Sequence, residues 1–144
     1  MLATFAFDIC HDVYRAAREV IDTKIPTLNM ESSGKYMWHP DRMPRLAEYV
    51  ADFSRAGERA LEGRGKLHPS TSFRASRMAM FRVHYLGGAE YQAARRHLGI
   101  SELTWADWAE EIRTRVGQEL TRTGVFPPSK YFHCFSIPAP GNVA

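Results

Sequence analysis

Five arginines and four carboxylates are the residues of this chain whose types and spacing most suggest chemistry. Arg82, Arg95 and Arg96 precede the stretch 102–111, and Arg113 and Arg115 follow it. Between these flanks lie Glu102, Asp107, Glu110 and Glu111, with no basic residue among them. A guanidinium stays charged at any physiological pH and can hold a phosphate through paired hydrogen bonds. Such contacts position a nucleic-acid backbone without reading its sequence. One carboxylate can accept from cytosine N4 in the major groove, but several together repel phosphates. The same carboxylates suit the basic surface of a protein. Two chemistries therefore compete within one short segment.

Other chemistries lack their residues. Cys10 and Cys134 lie near opposite ends of the chain, neither with a second cysteine at ligand spacing. They read as ordinary thiols of a reducing compartment. The six histidines are scattered, with no pair at zinc spacing. His133-Cys134 has no orienting acid evident in sequence, and His39 and Asp41 merely flank Pro40. Catalysis needs paired carboxylates, an activated nucleophile or a metal set in one pocket, so neither an enzyme nor a cofactor is expected.

The chain of 144 residues is 44% hydrophobic and 12% aromatic, enough for a packed core. Its formal charge of +3 is unevenly placed. Residues 1–72 hold ten Lys/Arg and ten Asp/Glu, whereas residues 73–144 hold nine against six. The whole positive excess thus accompanies the arginine flanks. No window approaches the roughly 18 apolar residues of a membrane span. The start, MLATFAFDICHDVYR, lacks a basic opening and meets Asp8 and Asp12 early, unlike a secretory signal. A cytoplasmic protein with no membrane partner is expected.

The elements that must position these residues are helical. Phe5, Ile9, Val13, Ala17 and Val20 recur every three or four positions and predict a helix over 4–22. Leu46, Val50, Phe53, Gly57 and Leu61 predict another over 42–62, with Pro44 tolerable in its first turn. The connection 24–40 contains Met30, Tyr36, Met37 and Trp38, apolar enough to pack on the core or to meet a partner. A third helix is expected over 73–86, capped by Ser70 or Ser72 and ended by Gly87-Gly88. A short helix follows at 90–98, then the turn Gly99-Ile100-Ser101, then a long helix from 102 to about 122. Its stripe of Trp105, Trp108, Ile112, Val116 and Leu120 should face the core, with Ser101 as N-cap. Glu102, Leu103, Ala106, Asp107, Glu110 and Glu111 should then face outward. Fold class is all-α, a helical bundle. Residues 1–66 form an N-terminal helical region, 67–135 carry the two-helix element, and 136–144 read as a flexible tail.

Residues 78–132 resemble region four of bacterial RNA polymerase sigma factors, in a form also compatible with a phage protein. The resemblance rests on Phe81-Arg82, Tyr85-Leu86, Tyr91, Leu98-Gly99-Ile100-Ser101, Trp108, Ile112, Pro127-Pro128 and Tyr131-Phe132. It implies a C-terminal helix-turn-helix, whose second helix lies in the major groove while the first crosses the backbone. The implied partners are double-stranded DNA and RNA polymerase, with homodimerisation possible. On that reading Arg82, Arg95, Arg96, Arg113 and Arg115 hold phosphates, and Ser101, Glu102 and Thr104 face DNA at the helix start. The alternative is a protein-binding descendant in which Asp107, Glu110, Glu111 and Trp38 dock a basic partner. One position departs from the pattern. Four residues before the turn glycine, where close helix approach favours a small side chain, stands Arg95, with Ala94 one place earlier.

Overall fold

Among the described residues, the spacing of apolar residues translates into five helices. The computed structural model describes residues 2–23, 43–62 and 76–132. Helix α1 spans Leu2–Thr23 and α2 spans Met43–Ala60. Helix α3 begins as an α-helical turn, Arg77–Met80, and continues as a wider π-helical segment, Phe81–Leu86. Helix α4 covers Tyr91–Leu98, α5 covers Glu102–Arg122, and a 3-10 turn, Pro128–Tyr131, closes the described chain. The described residues form an all-α bundle without strands. None of their helices is long and apolar enough to cross a membrane. Trp38, the loop around it, Ser70, Ser72, the expected joint near residue 66 and the tail from 136 lie outside the described residues.

Helix α5 is the centre of the bundle. Its stripe of Trp105, Trp108, Ile112, Val116 and Leu120 is buried, as the periodicity predicts. Helix α1 packs along its C-terminal half. Gly117 of α5 lies so close to Ala3 that a Cβ there would overlap the Ala3 carbonyl. Asp8 meets Arg113 further along, so α1 and α5 run antiparallel. Helix α2 joins from the other side, and Gly57 leaves room for the ring of Phe81. One hydrophobic core unites Phe7, Tyr14, Phe53, Phe81, Ile112 and Leu120, so the N-terminal helices and the two-helix element share their interior.

The wide turn of α3 has its own anchoring. His11 Nε2 donates to the Tyr85 carbonyl at 2.9 Å, and the Tyr14 hydroxyl donates to that of Leu86 at 2.9 Å. His11 stacks on Phe7 with ring centroids 5.4 Å apart and meets Tyr85 edge-on at 5.3 Å. Burial lowers the His11 imidazole below its ordinary pKa, against the opposing effect of the Tyr85 bond. Cys10 is buried, and desolvation pushes its thiol up to about 12, so it is an inert part of the core. The first described turn of α3 is capped by Ser76, whose hydroxyl accepts from Ala79 N–H. That corrects the expected Ser70 or Ser72.

Candidate functional site

The site begins with the turn that joins α4 to α5. Gly99 adopts φ +71, a left-handed conformation that glycine reaches without a Cβ penalty. The Ser101 side chain then accepts from Thr104 N–H and starts α5. Ser101 Oγ also donates to Thr104 Oγ1 at 3.0 Å, so both hydroxyls serve the helix start. Glu90 caps α4 in the same manner, and the Gln92 and Ala93 N–H groups hold its carboxyl below the ordinary pKa. Ala94 and Leu98 are the buried residues of α4. The small buried residue of this helix is Ala94, one place before Arg95. Tyr91 meets Trp105 edge-on at 5.2 Å and ties α4 to α5.

Beyond this turn α5 projects two of its faces differently. Glu102, Leu103, Ala106, Asp107 and Glu110 are exposed, and Leu103, at 78%, is the most exposed large apolar side chain among the described residues. Glu111 does not join them, contrary to the expectation from its spacing. It accepts from Arg77 Nε at 2.6 Å and from Arg115 Nε at 3.1 Å. Burial raises its pKa, but these two guanidiniums outweigh burial and leave the carboxyl below its ordinary value. The reason is tertiary: Arg77 lies across Trp108 at 4.8 Å, where Glu111, one turn-step along α5, can reach it.

The expected phosphate-holding arginines divide into three groups. Arg82 pairs with Glu58 of α2 at 3.0 Å, Arg113 with Asp8 of α1 at 2.8 Å, and Arg115 with Glu111. Each is held by a carboxylate, Arg115 by one that it shares with Arg77. Arg95 stabilises the turn. Its Nη1 donates to the Ile100 carbonyl at 3.3 Å, its guanidinium lies over Tyr91, and its Nε is buried with no hydrogen-bond partner among the described residues. Arg96 is exposed and has no ion pair among the described residues. The structure therefore gathers Glu102, Asp107 and Glu110 on one open face, with Arg113 at its edge 3.7 Å from Glu110, while the other arginines are dispersed around the bundle.

Sequence reasoning missed a second polar cluster at the far end of α5, where Asp52, Arg55 and Arg59 of α2 meet Tyr131. Its only sequence signal is the i,i+4 spacing of two arginines on an amphipathic helix. No group of His, Cys, Asp and Glu among the described residues is arranged to hold a metal ion. No protein-family model matches the chain, and neither a curated protein nor a solved structure does.

Proposed function

We propose that the chain is a transcription-associated adaptor or inhibitor whose helix-turn-helix element binds protein, docking the first turns of α5 on a basic surface of RNA polymerase. The observation that carries this reading is the exposed face Glu102, Leu103, Ala106, Asp107 and Glu110, three carboxylates around an apolar centre, whose one neighbouring cation among the described residues, Arg113 at 3.7 Å from Glu110, is held at 2.8 Å by Asp8. A phosphate backbone is repelled by such a face, whereas a basic protein surface is steered toward it. The resemblance to sigma region four suggests the polymerase as that surface, which would put the protein in the cytoplasm. A second reading, direct contact with promoter DNA, draws support from Arg96, which is exposed and unpaired among the described residues beside the turn. No sequence-specific reading of DNA is needed for the first.

The test neutralises the face by Glu102→Gln, Asp107→Asn and Glu110→Gln together. Surface plasmon resonance with purified bacterial RNA polymerase should show slower association, most clearly at low salt. Fluorescence anisotropy with labelled duplex DNA should stay near background. Tighter DNA binding with undiminished polymerase binding would overturn the proposal in favour of the second reading.

A further inference from the structure

At the opposite end of the bundle from this face, a cavity of about 170 Å³ opens between α2 and the segment after α5. Asp52, Arg55, Ala56 and Arg59 form one wall, and Thr123, Val125 and Tyr131 form the other. That space exceeds the share of several water molecules, each about 30 Å³ in the liquid. A phosphoryl group with a small substituent fits it.

The two arginines are only loosely committed. Arg55 Nη1 is 3.6 Å from Asp52 Oδ1, and Arg59 Nη1 is 3.5 Å from Glu119 Oε2. Both carboxylates have nearer partners. The Tyr131 hydroxyl donates to Asp52 Oδ2 at 2.6 Å, and Arg122 closes on Glu119. A guanidinium carries five N–H donors, so each arginine retains donors for a ligand. Their i,i+4 spacing on α2 places both on one face. Lys130 adds a third cation at the rim, since its Nζ stands beside Gly124, between the lining residues Thr123 and Val125. Among the lining residues Arg55 and Arg59 outnumber Asp52, and beside them Arg122 and Lys130 outnumber Glu119. The one carboxylate that lines the cavity, Asp52, is tied to the Tyr131 hydroxyl.

We propose that this cleft binds a phosphoryl oxyanion, with Arg55 and Arg59 as the paired ligands and Lys130 at the mouth. The site is independent of the acidic face of α5 and of any polymerase contact. Its phosphoryl group can belong to a small phosphomonoester or to a nucleic-acid backbone, and the chemistry of recognition is the same for both.

The probe is inorganic phosphate, titrated into the full chain at constant ionic strength with chloride as reference. Arginine Nε–H and backbone amide NMR signals are the readout. Saturable shifts are expected at Arg55, Arg59 and Thr123. Arg55→Gln with Arg59→Gln should weaken binding at least about tenfold, since the charge-assisted bonds are removed, and Arg96→Gln should leave it unchanged. Asp52→Asn should tighten binding roughly two- to fivefold, the scale of one exposed charge interaction. That gain cannot arise from misfolding. Displacement by a short DNA duplex identifies backbone phosphate as the source, and displacement by glycerol 1-phosphate alone identifies a small phosphomonoester. Shifts that grow without saturation, survive the double substitution or resist both competitors overturn the proposal.

Discussion

The two halves of α5 have opposite surroundings. From Ile112 to Leu120 the helix is wedged between α1 and α2, with Gly117 against the Ala3 backbone. From Glu102 to Glu110 it covers the core on one side only, through Trp105 and Trp108, and shows solvent three carboxylates and Leu103. A helix that only read DNA would keep polar or basic groups on that open side. The contrast teaches that one continuous helix can serve as the bundle's axle at one end and leave a charged face open to solvent at the other.

Substitutions in the buried stripe should have the largest effects. Trp108→Ala removes a side chain that is 6% exposed and also takes away the ring under Arg77. A loss of about 3–5 kcal/mol is expected, read by chemical denaturation. A loss below about 1 kcal/mol would mean that the open half of α5 contributes little to the core, and the contrast between the halves would sharpen. Gly117→Ala tests the other half. Alanine ordinarily favours a helix, yet here its Cβ would overlap backbone, which cannot turn aside as a side chain can. About 3 kcal/mol of destabilisation is expected, the upper range for overpacking. A neutral or stabilising result would show that α1 can slide on α5.

Glu111 marks the boundary between the halves. Glu111→Gln keeps one acceptor but removes the charge that Arg77 and Arg115 share. Partial exposure screens the pair, so about 1 kcal/mol is expected in a denaturation titration. An effect indistinguishable from zero would return Glu111 to the open face.

Acid should weaken the buried side in two stages. The folded-state pKa of His11 is lowered from 6.5, so the unfolded chain binds its proton first as pH falls. Its contribution is therefore complete above 6.5 and declines as pH drops from there toward the lowered folded value. Glu111 and Glu119, also lowered from 4.5, add a second decline only below that value. Denaturation midpoints between pH 8 and pH 5 should show the first slope, and His11→Phe should flatten it while keeping an aromatic ring in the stack. An unchanged slope in that variant would assign the first stage to another group.

Much of this arrangement is legible in the residues themselves, where local rules decide. The stripe from Trp105 to Leu120 follows from helical periodicity, and Gly99 and Ser101 follow from turn and cap chemistry. Contacts made across the fold were not legible. Glu111 spaces like an exposed residue, and only the approach of Arg77, 34 positions earlier, draws it inward. Arg113 resembles a phosphate ligand until Asp8, 105 positions away, closes on it. The glycine at 117 looks like a weak point in a helix, and its use appears only when Ala3 is laid against it. The cavity beside Arg55 and Arg59 depends on where Tyr131 returns to α2, which no spacing along the chain encodes.

The smallest effect on stability should come from Leu103→Ser, and that smallness is its value. Leu103 lies on the first turn of α5, where only its own helix supports it, so little apolar burial is lost. The denaturation midpoint should move by less than about 0.5 kcal/mol. Polymerase binding should nevertheless weaken, because an exposed leucine ringed by carboxylates is the part of the face that can be buried without desolvating a charge. The change should fall mainly on dissociation, whereas neutralising Glu102, Asp107 and Glu110 should fall mainly on association. Surface plasmon resonance on the two variants separates these rates. Equal loss of stability at Leu103 and Trp108 would abolish the distinction between an open and a buried side of α5. Loss of stability at Trp108 alone, together with faster dissociation of Leu103→Ser, is the pattern expected of a helix that holds the fold and a partner at once.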